Sequence, residues 1–202
     1  MIIQILQEGN ARFVAGEQGK AREYLVRVRE TSEKGQFPIA AILSCSDSRV
    51  PPEIIFDQGI GDIFSVRIAG NVCCDSQLGA IEFGVKNLGI TLCVVLGHTK
   101  CNAVAAVCNG QELGENIQTI TAQIKPAFER TKAATGKTGE EIVEECIKEN
   151  IFVQIETILT KSGFLREQVR SSNLLIVGAV YDLDTGVVTF LGPHPQCEEL
   201  VS

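Results

Sequence analysis

The sequence predicts an α/β fold built on a parallel sheet, and three observations carry that expectation. Short apolar runs of strand type alternate with helical stretches along the chain. Two of those runs, Ile90–Leu96 and Leu174–Val180, are continuously apolar, as strands covered on both faces are. Finally, 202 residues without an internal repeat, low-complexity tract or linker suit one compact domain.

Two helices are expected at the start, at about 2–15 and 20–34. They have nothing of their own to pack against, so they are expected on the core or on a second subunit. The first strand is Pro38–Ser44 and the second Asp62–Ile68. A helix over Ser76–Leu88 carries Leu78, Ile81, Phe83 and Val85, with Asp75 or Ser76 as N-cap and Gly89 as its stop. The third strand, Ile90–Leu96, follows. Helices at about 114–133 and 140–161 come next, the second with Val143, Ile147, Ile151 and Ile155 at four-residue spacing. This stripe reads as core or interface. Leu174–Val180 is the fourth strand. Asp and Gly residues in Tyr181–Gly186 predict a tight hairpin, which makes the fifth strand, Val187–Leu191, antiparallel. The expected architecture is a central four-stranded parallel β-sheet with an antiparallel fifth edge strand, flanked by helices. Its segments are a helical arm (1–35), an α/β half (36–110), a helical segment (111–171) and C-terminal strands with a tail (172–202).

Composition excludes several function classes. Hydrophobic residues make up 45% and charged residues 21%, enough apolar material for a core and too little charge for a disordered chain. Net charge is −7, from 18 basic and 25 acidic residues with no run of Lys and Arg, which argues against nucleic acid and an anionic membrane surface. Uncharged runs such as Gly89–Thr99 fall short of the roughly 18 apolar residues of a membrane span. Met1–Leu6 lacks the basic start of a signal peptide and meets Glu8 at once. A soluble, cytoplasmic protein is expected. Eight cysteines are many, but Cys93 lies in a strand, Cys108 and Cys146 in helical patterns, and Cys73 and Cys74 are adjacent. That scatter predicts reduced thiols, some buried and some serving as metal ligands, rather than a disulfide framework.

In open parallel sheets ligands bind at the carboxyl ends of strands. The first strand ends in Ser44-Cys-Ser-Asp-Ser-Arg49 and the third runs into Gly97-His-Thr-Lys-Cys101. If those strands are neighbours, Cys45, His98 and Cys101 converge. Two thiolates and an imidazole suit zinc, and three protein ligands leave a fourth position open, as in catalytic sites. A structural zinc would need a fourth ligand, for which Asp47 and His194 are the candidates. Asp47 and Arg49 read as a carboxylate beside the metal held by its guanidinium; alternatively, Ser46, Asp47 and Ser48 merely cap the turn before Pro51-Pro-Glu53. His194, in Gly192-Pro-His-Pro195, reads as a surface turn rather than a proton shuttle. Gly59-Ile-Gly61 lacks the third glycine of a dinucleotide fingerprint. Cys73-Cys74 reads as packing in a turn rather than a redox pair.

The strings Ser44–Glu53, Phe56–Asp62, Arg67-Ile-Ala-Gly-Asn71, Gly79-Ala-Ile-Glu-Phe83, Gly97–Cys101 and Gly178–Gly186 together resemble the β-class carbonic anhydrases. The resemblance covers nearly the whole chain, and its paired C-x-D-x-R and H-x-x-C motifs are highly specific. It implies one zinc per subunit on Cys45, His98 and Cys101, with Asp47 and Arg49 as catalytic dyad. The implied reaction is reversible hydration of carbon dioxide to bicarbonate and a proton by a zinc-bound hydroxide. In a closed state, the resemblance implies, Asp47 becomes the fourth ligand. It also implies a homodimer or homotetramer, in which Gln58 reaches the partner's site and hydrogen-bonds the substrate anion. Val72 and Phe83 match pocket-lining positions, with Phe83 keeping an aromatic wall where plant-type members often carry Tyr. Asn102 departs from the Gly usual after the second cysteine and alters the pocket's shape. That departure keeps open a hydrolase of carbonyl sulfide or carbon disulfide. A non-catalytic zinc-binding module is the other alternative.

Overall fold

The computed structural model describes residues 1–20 and 24–202, so the start of the helix expected at about 20–34 lies outside the described residues. The strands are β1 (Ala40–Ser44), β2 (Ile63–Arg67), β3 (Leu92–His98), β4 (Leu175–Tyr181) and β5 (Val188–Gly192). They form one sheet in the order β2-β1-β3-β4-β5, with β1 to β4 parallel and β5 antiparallel to β4. Each strand sits one or two residues from its expected limits, as ends set by a partner's ladder often do. The hairpin into β5 is closed by its first residue: Asp182 Oδ1 accepts from the N–H groups of Asp184 and Thr185, at 2.9 and 2.8 Å.

Helices cover both faces. They are α1 (Ile2–Ala15), α2 (Tyr24–Lys34), α3 (Pro52–Ile55), α4 (Asp75–Leu88), α5 (Asn102–Cys108), α6 (Glu115–Thr135), α7 (Glu140–Lys161), α8 (Gly163–Arg170) and α9 (Cys197–Val201). Because side chains alternate along a strand, each sheet face collects its own core. Leu43, Val66, Cys93, Val95 and Ile176 point toward α4, α7 and α8. Ile42, Leu92, Val94, Leu96 and Val177 point the other way, where Leu6 of α1 and Ile55 of α3 meet them. Each such buried aliphatic side chain contributes about 1.5–3 kcal/mol. A third cluster joins Cys45, Val72, Cys101 and Val104 to Ile124, Cys146 and Ile147, so the space beneath the strand ends is packed by α5, α6 and α7.

Of the N-terminal helices, α1 lies on its own core. Its Asn10 is buried, donates to the carbonyls of Ile55 and Gly186 at 3.2 and 2.9 Å, and accepts from Val188 N–H at 2.8 Å. In contrast, α2 buries none of its residues and is tied to the sheet by Arg27, which bonds Asp62 at 2.6 Å. The helix expected from Ser76 begins one residue earlier, with Asp75 inside it and Cys74 as N-cap making no side-chain bond. Gly89 ends it in a left-handed turn, as expected. All eight cysteines are free, and among the described residues no helix is long and apolar enough to cross a membrane.

Candidate metal centre

β2 and β3 pair with opposite edges of β1, so the order in which strands are added to the sheet reverses at β1. The carboxyl ends of β1 and β3 therefore flank a crevice. Cys45 directly follows β1, His98 is the last residue of β3, and Cys101 is the N-cap of α5. The two residues between His98 and Cys101 form a tight reversal with Lys100 at φ 56. It is braced by the β4–β5 hairpin: Thr99 N–H donates to Tyr181 O at 3.0 Å, and Thr99 Oγ1 accepts from Leu183 N–H at 2.9 Å.

The sulfurs of Cys45 and Cys101 and a ring nitrogen of His98 all lie within 4.8 Å of one another, and all three residues are buried. Tetrahedral zinc, with sulfur at about 2.3 Å and nitrogen at about 2.0 Å, separates such ligand atoms by roughly 3.5–3.8 Å. The imidazole supplies the decisive observation. His98 Nδ1 lies 2.8 Å from Thr99 O, so Nδ1 carries the proton, and Nε2 is buried with no hydrogen-bond partner. An orphaned lone pair facing two thiols fits a metal ligand and is otherwise costly.

Cys45 Sγ accepts from the backbone N–H groups of Asp47 at 3.4 Å and Gly70 at 3.3 Å. The neighbouring Cys101 thiol holds the Cys45 thiol well below the ordinary range, against the opposing effect of burial, and is itself pushed up. Asp47 is gripped by Arg49: Nε donates to Oδ1 at 2.9 Å, Nη2 to Oδ2 at 2.7 Å, and Arg49 N–H to Oδ1 at 2.9 Å. These bonds bring the carboxyl down to about 2. Asp47 therefore both caps its own turn, through Arg49 N–H, and pairs with the guanidinium. Arg67, which lies outside the C-x-D-x-R and H-x-x-C motifs, fixes the same turn by donating to Cys45 O at 3.2 Å and Asp47 O at 2.7 Å.

The remaining expected residues are spread out. Val72 is fully buried in the cluster that holds Cys45 and Cys101. Asn102 is the exposed first residue of α5. Gln58 is buried and donates to Phe56 O at 2.7 Å. Phe83 lies exposed on α4, stacked on Phe64 with ring centroids 6.5 Å apart. His194 corrects the expectation of a surface turn: it is 6% exposed, packs edge-on against Phe152, and accepts from Gln196 N–H at 3.0 Å. It lies outside the Cys45–His98–Cys101 group. Cys73 is packed as expected, and burial pushes its thiol up to about 12.

Two cysteines and a histidine at the switch point of a largely parallel sheet define an α/β protein with a buried donor set suited to a metal ion. The carbonic anhydrase family model matches residues 40–188, and the chain belongs to that enzyme family, in its β class. Carbonic anhydrase 2 of Mycobacterium tuberculosis is 37% identical over 185 residues, covering 90% of this chain and 87% of the relative. The carbonic anhydrase of Mycolicibacterium smegmatis is 35% identical over 187 residues, covering 91% and 88%. Among solved structures, the β-carbonic anhydrase CcaA superposes with a TM-score of 0.73 at 26% identity, covering 95% of this chain and 92% of that one.

Proposed function

We propose that the chain is a zinc-dependent carbonic anhydrase that interconverts carbon dioxide with bicarbonate and a proton. The observation that carries this reading is the unpartnered His98 Nε2 facing two thiols, with Asp47 held beside them by Arg49. Cys45, His98 and Cys101 would hold the metal, and Asp47 and Arg49 would act on the substrates. Bound zinc would supply Lewis-acid activation of water, lowering its pKa toward neutrality.

The protein groups do the rest. Thr99 O keeps His98 in the tautomer that leaves Nε2 free. Asp47, ionised down to about pH 2, accepts a hydrogen bond from the attacking oxygen and turns its lone pair toward the carbon of carbon dioxide. Arg49 holds that carboxylate off the thiolates and keeps it charged. The proton released passes to buffer. Val72 and Asn102 would line the substrate space, together with Gln58 and Phe83 of the assembled protein.

The assembled form is proposed to be a cytoplasmic homodimer or homotetramer, each chain working as one domain over residues 1–202. Support comes from apolar side chains left outside the core: Leu25 of α2 is 75% exposed and Phe37 is 76% exposed. A second copy would cover them. Stopped-flow hydration of carbon dioxide, with metal analysis on the same sample, tests the function. Zinc-free protein, or zinc-loaded protein faster on carbonyl sulfide than on carbon dioxide, would refute it.

A further inference from the structure

Helix α7 carries two primary amides one turn apart, Asn150 and Gln154, both fully buried. Their polar atoms are all used. Asn150 Nδ2 donates to Gly70 O at 2.9 Å, and Asn150 Oδ1 accepts from Gln154 Nε2 at 3.0 Å. Gln154 Nε2 also donates to Gln123 O at 3.1 Å, and Gln154 Oε1 accepts from Cys73 N–H at 2.8 Å. The pair thus clasps the loop after β2 at two points, residues 70 and 73, and ties it to α6.

That loop reaches the metal centre, because Gly70 N–H donates to Cys45 Sγ at 3.3 Å. Its direction depends on an unusual backbone: Gly70 stands at φ 70 and Asn71 at φ 45, two left-handed residues in succession. Such a bend persists only where its surroundings hold it. In front, Ile68 exchanges hydrogen bonds with the end of β1, donating to Ser44 O at 3.1 Å and accepting from Ser46 N–H at 3.2 Å. Behind, Asn150 takes the Gly70 carbonyl. An amide suits this position because it must donate to a carbonyl and accept from Gln154 at once; a carboxylate would lack the donor and an ammonium the acceptor.

We propose that Asn150, braced by Gln154, is a positioning residue of the metal centre: through Gly70 it aims a backbone N–H at the Cys45 sulfur and so fixes that ligand's direction toward zinc. The inference rests on the reading that Cys45, His98 and Cys101 hold zinc. An N–H donor withdraws electron density from a thiolate and restricts its swing, so its loss loosens the site. Removal of such outer partners typically costs roughly 10- to 100-fold in metal affinity.

Cobalt(II) in place of zinc, in the intact protein, reads this out through its thiolate-to-metal charge-transfer band, and chelator competition gives the affinity of both metals. Asn150→Leu keeps nearly the side-chain volume and removes both hydrogen bonds. It is expected to weaken metal binding roughly 10- to 100-fold and to shift the band. Ile158→Ala, fully buried in the same helix but within the main core, is expected to lower stability while leaving affinity and band unchanged. Gln154→Met removes the brace and keeps the Asn150-to-Gly70 bond. It is expected to shift the band in the same direction, and it decides the matter if Asn150→Leu does not fold. A folded Asn150→Leu protein with wild-type affinity and spectrum would overturn the inference while leaving the zinc reading intact. Wild-type protein that binds neither metal would overturn the zinc reading, and this inference with it.

Discussion

Ile151 of α7 packs directly onto the backbone of β4 at Gly178: a Cβ there would meet Ile151 Cγ2 at 2.6 Å. Gly97 of β3 receives the other end of the same side chain, with Ile151 Cδ1 at 2.8 Å from where its Cβ would be. The two glycines let α7 lie close on the sheet, and that depth brings the next residue back along the helix, Asn150, to Gly70. Gly97 also immediately precedes His98, so the helix seat and the metal centre share one stretch of strand. Gly178→Val is therefore expected to lower stability by about 1–3 kcal/mol through overpacking. Adding Ile151→Ala is expected to restore part of that loss, a non-additivity that urea unfolding of the four-member cycle measures. Additive losses would place the strain elsewhere.

Removing one of the three proposed metal ligands is expected to cost more than the roughly 10- to 100-fold lost with an outer partner. Cys45→Ser, His98→Ala and Cys101→Ser are each expected to lose zinc on dialysis under conditions where the wild type retains it. Metal analysis after gel filtration checks this. Full zinc occupancy in any of the three would remove that residue from the ligand set.

The exposed face of α2 predicts association. Leu25 is 75% exposed in the isolated chain, so Leu25→Asp is expected to leave the fold intact and to shift the protein toward monomer. Light scattering at micromolar concentration, with circular dichroism on the same sample, reads both. An active wild-type monomer would refute the proposed assembly.

Burial lowers the pKa of His194 below its ordinary 6.5, with Glu156 and Glu149 opposing the shift and Arg130 adding to it. On acidification the unfolded chain takes up this proton first, so the contribution is complete above pH 6.5 and is lost as pH falls through the folded value. Between pH 7.5 and 5.5 the urea midpoint of the wild type is expected to fall more than that of His194→Asn, which keeps an acceptor for Gln196 N–H but does not titrate. Equal falls would show that other groups carry the acid sensitivity.

The strands, the hairpin and the Cys/His/Cys group were legible because each rests on a local pattern: apolar runs, an Asp-Gly turn, and paired short motifs at strand ends. What stayed hidden depended on tertiary contacts. Spacing along α7 exposed only the stripe of Val143, Ile147, Ile151 and Ile155, which runs from the cluster beneath the strand ends to the sheet-face core. The helix also buries Ile142, Cys146, Asn150, Val153 and Gln154, and two amides in that set look like a solvated face in sequence. Their i, i+4 spacing beside an apolar stripe was the available signal. His194 is buried where a Pro-flanked histidine resembles a loop tip, because Phe152 of α7 packs edge-on against its ring. Arg67 gave no sign of its two carbonyl partners, which lie across the β1–β2 pairing.

Arg49 offers the sharpest separation of metal binding from catalysis. Its side chain is half exposed and touches Asp47 rather than a metal ligand. Arg49→Ala is therefore expected to keep its zinc. Without the guanidinium, Asp47 loses two charge-assisted bonds and is free to swing toward the metal, where it competes with water for the open position. Activity is accordingly expected to fall roughly 10- to 100-fold, most severely at neutral pH, and to recover partly as rising pH favours hydroxide over carboxylate. Protonation of Asp47 does not shape that profile, since the carboxyl sits at about 2 in the paired form and ordinarily at 3.8. Stopped-flow rates from pH 6.5 to 9, normalised to zinc content, give the answer. A zinc-replete Arg49→Ala protein with wild-type turnover across that range would remove Arg49 from the mechanism.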